Sequence, residues 1–272
     1  MLSNEADRLK RVIVCTPSEE YFKISNLKLH NILEVADREK ALDQHDSLKN
    51  LLNAFGADVI DVPELTNHPN SVFTRDTALC TPEGYIELLP GIKTREAEGR
   101  WMASALDQLG EPCAGQINYP GTVDGGDVVL CGHVAFVGLT VRTNDEGCRQ
   151  LSDYLPEMGY EVRVIPLPDT ILHLDKVLMP VDPGKLIVCG NIVPKSSLEG
   201  FDAININFDG TTTANIICLG DGELIVGDTN LEAIHCLNEE QFTIHLIDIS
   251  EFVKGAGGPN CLIMPVTRDA NS

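Results

Sequence analysis

No apolar run in this chain approaches the length needed to cross a bilayer; segments such as Ala135-Phe136-Val137 and Leu186-Ile187-Val188-Cys189 are far too short. The opening residues MLSNEADRLKRVIVC are charged and lack an apolar stretch with a cleavage site, so no secretion signal is expected. No C-x-x-C pair occurs among the nine cysteines, which are scattered singly from Cys15 to Cys261. That pattern excludes a zinc ribbon and a thioredoxin-like motif, and an odd count of dispersed thiols fits a reducing, cytoplasmic setting. Basic residues are also scarce. Twenty Lys and Arg face 41 Asp and Glu, a formal charge of -21. Such a surface repels nucleic acid and anionic membranes, so neither is an expected partner. It favours a cationic small molecule, although most of the charge reads as a solubility or high-salt adaptation.

What the chain does contain is a repeated order of elements: hairpin, helix, strand. Asp127–Cys131 and Val134–Val137 form two apolar runs around Gly132. Thr143-Asn144-Asp145-Glu146 then supplies a polar cap and an acidic first turn, and Cys148, Leu151, Leu155 and Met158 follow at helical spacing up to Gly159. Tyr160–Ile165 alternates as a strand. The same order recurs earlier, with a hairpin over 76–88 and a helix from Thr94 to about Gly110. It recurs later over Thr213–Val226, Thr229–Asn238 and Phe242–Ile247. Residues 175–207 give a weaker copy with a poorly signalled helix near Ser196. A split copy joins Leu262–Val266 to Val12–Thr16, Asp37–Phe55 and Asp58–Val62. Units of about forty to fifty residues repeated four or five times predict an α/β ring that protects its own sheet edges, with an open α/β sandwich as the alternative. No linker divides residues 1–272, so one domain is expected.

Four segments combine apolar strand-like surroundings with polar groups. Lys254-Gly-Ala-Gly-Gly-Pro-Asn-Cys261 ends a glycine-rich loop in a thiol, which reads equally as an accessible nucleophile or as a tight turn with a buried cysteine. His173 stands alone in Ile171-Leu172-His173-Leu174, the position of a core histidine unless Cys261 lies close enough to use it as a proton donor. Asp76, in Phe73-Thr74-Arg75-Asp76, and Asp124, in Val123-Asp124-Gly125-Gly126-Asp127, place carboxylates among apolar residues. Buried carboxylates need a partner, and a planar guanidinium offers paired donors. An Arg75–Asp76 ion pair and turn capping by Asp124 are the structural alternatives.

In this order the segments resemble the guanidino-group-modifying enzymes, which share the pentein fold, a five-bladed α/β propeller of ββαβ repeats. The resemblance runs from about Asn70 to Cys261. It rests on the combination of Phe-Thr-Arg-Asp, Asp-Gly-Gly-Asp, Leu-His-Leu and Gly-Gly-x-x-Cys. It implies a hydrolase acting on C–N bonds in amidines, with Cys261 as nucleophile, His173 as general acid and base, and Asp76 and Asp124 gripping the substrate guanidinium. It further implies that Arg95 and Arg142 hold the substrate's α-carboxylate, and that no cofactor or metal takes part. Arg75 and Asn70 stand where dimethylarginine hydrolases commonly have Glu and Asp. The Pro-Asn-Ser-Val-Phe-Thr-Arg-Asp run looks more like arginine deiminases and dihydrolases, in which an asparagine at this place belongs to the active site. The resemblance therefore points first to hydrolysis of arginine to citrulline or ornithine through an S-amidino-cysteine. Dimethylarginine hydrolysis, then amidino transfer, are the alternatives. A non-catalytic pentein, such as the ribosome anti-association factor, has no reason to keep all four catalytic-type residues. Homo-oligomerisation is left open by the sequence.

Overall fold

The computed structural model describes residues 3–208 and 213–269. Among them, fifteen strands form five three-stranded sheets. Strands β1 (Arg8–Val14) and β2 (Asp58–Asp61) flank helix α1 (Arg38–Ala54). Then follow β3 (Ala78–Thr81), β4 (Gly84–Glu87), α2 (Glu96–Gln108) and β5 (Cys113–Gln116). The third unit is β6 (Val128–Cys131), β7 (Val134–Leu139), α3 (Asp145–Tyr154) and β8 (Glu161–Pro166). The fourth is β9 (Leu178–Asp182), β10 (Lys185–Cys189) and β11 (Asp202–Ile206), and the fifth β12 (Ile217–Gly220), β13 (Glu223–Gly227), α4 (Leu231–Glu239) and β14 (Thr243–Ile247). A short helix α5 (Ser250–Val253) leads to β15 (Met264–Asp269).

Every sheet is built alike: an antiparallel pair, then a parallel neighbour reached through the outer crossover. The first sheet is completed by β15, which pairs antiparallel with β1 from the far end of the chain. The ββαβ repeats and the five-bladed pentein architecture predicted from the sequence are thus present. The predicted helix cap forms as well, since the Asn144 side chain accepts from the Gly147 N–H, and at the start of α1 the Asp37 side chain accepts from the Lys40 N–H. The fourth unit departs from the others. Its crossover carries only a single 3-10 turn, Lys195–Leu198, in place of an α-helix, as the weak helical signal there suggested.

Burial follows position in the blade. The leading strands β3, β6 and β12 are buried at every residue, whereas the trailing strands β2, β5, β8 and β14 leave part of their length to solvent. Continuous apolar sequence in the leading strands is therefore the signature of an element covered on both faces. No helix among the described residues is long and apolar enough to cross a membrane.

Candidate active site

The leading strands converge, and the residues just ahead of them carry the chemistry. In four of the five blades a single 3-10 turn precedes the strand: Thr74–Asp76, Gly125–Asp127, Leu174–Lys176 and Asn260–Leu262. Asp76 closes the first of these turns, Asp124 and His173 cap the second and third, and Cys261 lies within the fourth. The fifth blade presents Asn215 at the same level, with its Nδ2 3.5 Å from Cys261 Sγ. One repeated backbone device thus delivers a side chain from each of four blades to one place.

Asn70, Asp76, Arg95, Arg142, His173 and Cys261 line one narrow cavity, which adjoins a roomier one of about 320 Å³ bordered by Leu33, Val141 and Lys176. Arg142 and Leu172 border both. Asp124 stands directly behind His173 and is fully buried. Its Oδ2 pairs with His173 Nε2 at 2.8 Å and accepts from Arg142 Nη1 at 2.9 Å, while Oδ1 accepts from the Gly91 N–H at 2.7 Å. All seven residues expected from the sequence therefore meet here.

The bonds also divide their tasks. Arg95 is consumed by structure: it donates to Asp76 Oδ2 at 2.5 Å, to Glu98 Oε2 at 2.7 Å and to the carbonyls of Asn70 and Phe73 at 3.3 and 2.9 Å. Among the described residues the Arg142 guanidinium donates only to Asp124, and it faces the larger cavity. Both arginines are buried. Arg75 does not pair with Asp76. Its guanidinium binds Glu5 Oε1 at 2.8 Å and the Val128 carbonyl at 2.7 Å, and it is absent from the cavity wall. Asp127 is likewise structural, accepting from the Thr140 and Thr143 hydroxyls and the Leu174 N–H.

Electrostatics in the cluster follow from burial working against charge pairing. Burial alone lowers the His173 pKa, but Asp76, Asp124 and Asp127 together raise it to about 9. Burial disfavours the Asp124 carboxylate, yet His173 and Arg142 hold it well below the usual range. Glu98, desolvated behind Arg95, rises to about 7 despite that partner. His173 Nδ1 has no hydrogen-bond partner among the described residues and lies 3.8 Å from Asp76 Oδ1, so it is the ring nitrogen left to exchange a proton. Gly126 is required beside it: a Cβ there would lie 2.9 Å from Nδ1 and 3.0 Å from Asp76 Oδ1.

Two ionisable groups went unassigned in the sequence. Asp175 Oδ2 lies 3.9 Å from Cys261 Sγ and accepts from Asn260 Nδ2, and its Oδ1 is buried without a partner. Lys176 Nζ lies 3.7 Å from the same sulfur. The signal was visible, since His173, Asp175 and Lys176 put three ionisable residues into four positions of an apolar stretch. The ligand-type atoms of Asp76, Asp124 and His173 lie within 4.8 Å of one another. A divalent cation placed there would face the guanidinium groups of Arg95 and Arg142, so this donor set suits proton and guanidinium chemistry better than metal ligation.

Comparison with known proteins bears on what such a cluster does. Residues 24–268 match the family described as N,N dimethylarginine dimethylhydrolase, eukaryotic. The chain belongs to that family. It is 29% identical over 228 residues to the N(G),N(G)-dimethylarginine dimethylaminohydrolase of Pseudomonas aeruginosa, covering 83% of this chain and 88% of the relative. A structure of a mutant of the Pseudomonas aeruginosa enzyme complexed with citrulline superposes with a TM-score of 0.83 at 27% identity, over 94% of this chain and 99% of that one. An arginine deiminase from Clostridium perfringens is more distant, 23% identical over 54% of this chain and 47% of its own length. As a member of the dimethylarginine dimethylhydrolase family, and so of the guanidino-group-modifying superfamily, the protein is a hydrolase acting on C–N bonds of a guanidino group.

Proposed function

We propose that this family member hydrolyses N-methylated arginine, releasing an alkylamine and citrulline, with Cys261 as nucleophile. The observation that carries the reading is the convergence of Cys261, His173 and Asp76 on one cavity, with Asp124 bonded to His173. The family match over residues 24–268 favours the methylated substrate over arginine itself. Arg75, together with Asn70, carried the sequence-based preference for arginine. Its guanidinium serves Glu5 and the Val128 carbonyl instead, so its identity says little about substrate.

The substrate guanidinium docks against Asp76 and the unpaired oxygen of Asp175, while Arg142, with donors to spare, takes the α-carboxylate. Arg95 holds Asp76 in place. The Cys261 thiolate adds to the guanidinium carbon, and the proton on His173 Nδ1 passes to the departing nitrogen as the C–N bond breaks. An S-amidino intermediate remains. Neutral His173 then takes a proton from water, whose oxygen bonds to the same carbon. Collapse expels the thiolate and leaves the ureido product. Asp124 fixes the imidazole and stabilises its charged form throughout.

One observation favours arginine as a second reading. Asn70 lies at the cavity wall, its Nδ2 donating to the His30 carbonyl at 3.1 Å and its Oδ1 buried without a partner. A neutral amide there matches the arginine-hydrolysing pattern seen in the sequence. The two readings separate by product. Incubation with asymmetric dimethylarginine is expected to give dimethylamine and citrulline in equal amounts, with arginine turned over far more slowly. Ammonia and ornithine from arginine, with dimethylarginine untouched, would establish the second.

A further inference from the structure

Lys176 ends the 3-10 turn that begins just after His173, and the reaction outlined above gives it no task. Its side chain is buried, with the residue 2% exposed, and Nζ donates to the Ala256 carbonyl at 2.9 Å. One carbonyl is poor compensation for a buried ammonium. Asp175 and Asp76 favour its charge from farther away, and its other hydrogen-bond partner is the nucleophile: Nζ lies 3.7 Å from Cys261 Sγ. Two more donors point at the same sulfur, the Gly258 N–H at 3.3 Å and Asn215 Nδ2 at 3.5 Å. The cradle is rigid. A Cβ on Gly258 would meet Asn215 Oδ1 at 2.3 Å, and that same oxygen accepts from the Asn260 N–H at 2.9 Å.

Three converging donors, one of them cationic, describe a site for a sulfur anion. We infer that Lys176 is a positioning residue that, with Gly258 and Asn215, offsets part of the burial cost of ionising the Cys261 sulfur, so that the cationic substrate has less left to supply. The inference rests on Cys261 being the nucleophile and extends that reading. The charged groups facing the sulfur are Lys176 and Asp175 from the turn before β9 and Asp76 from the turn before β3. Burial raises the thiol pKa to about 11 even with Lys176 working against it; Asp175 and Asp76 add to the rise, and the Gly258 N–H opposes it. Lys176 is therefore the cationic residue working against burial and two carboxylates. The substrate guanidinium supplies the rest of the bias when it docks beside Asp76 and Asp175.

The test is iodoacetamide alkylation of the ligand-free full chain across pH, followed by mass spectrometry on the peptide holding Cys261, because Cys113 is exposed and reacts as well. Lys176→Gln removes the charge but keeps a donor for the Ala256 carbonyl, and Lys176→Met serves if the glutamine variant does not fold. Either is expected to slow modification of Cys261 about tenfold or more near pH 8 and to displace its profile to higher pH. Lys176→Arg restores most of the rate. The loss in kcat/KM should shrink as pH rises, which a purely structural defect would not show. Superimposable alkylation profiles for wild type and Lys176→Gln overturn the inference. If wild type hydrolyses no guanidino compound while the profiles still separate, the cradle stands and the proposed reaction falls.

Discussion

Cys261→Ser is expected to lower turnover of the preferred substrate by about 10³-fold or more while leaving the fold intact. The change replaces one small buried atom by another in a turn whose backbone is held by the Cys261 N–H to Gly258 carbonyl bond at 3.1 Å, so packing barely changes. The nucleophile changes completely. The carboxylate beside a hydroxyl here, Asp175 at 3.9 Å from the sulfur, is too weak a base to deprotonate an alcohol. His173 is held charged by its carboxylate partners, and the Lys176 ammonium cannot deprotonate an alcohol. Circular dichroism and melting temperature should match wild type. Turnover within tenfold of wild type would remove Cys261 from the reaction.

Asp124→Asn should be nearly as costly, with a fall in kcat of roughly 10²- to 10⁴-fold. One carboxylate oxygen now serves both His173 and Arg142, and an amide cannot balance both charges. The effect carries a pH signature. In the wild-type protein the His173 pKa is raised to about 9, so the proton donor stays loaded through neutral pH. A pKa raised in the folded state stabilises the protein below the unfolded value, about 6.5, and that contribution fades as pH rises through about 9. Asp124→Asn removes one of the groups that raise it. The alkaline limb of kcat should shift to lower pH, and the wild-type loss of stability between those two pH values should flatten. An unchanged alkaline limb would mean that another group donates the proton.

The architecture was legible because it is periodic. Turn glycines and continuous apolar leading strands recur along the chain, and like the Asn144 cap each is a local signal. Even the blade without an α-helix announced itself through the weak pattern near Ser196. The residues of the site were legible as types, but their partners were not. Asp124 needs His173, 49 positions away, and Cys261 needs Lys176, 85 positions away. Such pairs form only when the ring brings different blades together. Arg75 shows the hazard most clearly. Beside Asp76 in sequence it suggested a local ion pair and an arginine-type motif, yet its partner is Glu5, 70 residues earlier. Arg95 and Arg142 were visible only through resemblance, since a buried arginine and an exposed one look alike in a helix-start sequence.

Mass spectrometry of acid-quenched reaction mixtures tests the central claim most directly, with wild type mixed with dimethylarginine and His173→Ala with an S-alkylthiocitrulline, each sampled during turnover. A thiol leaves without the imidazole's proton, whereas water still needs a base to attack the adduct, so the variant should hold the adduct longest. A substrate-derived mass is predicted on the peptide containing Cys261 and on no other. Dimethylamine release by wild type with the adduct on a different residue, or with Cys261 unmodified in both chains, would contradict the account.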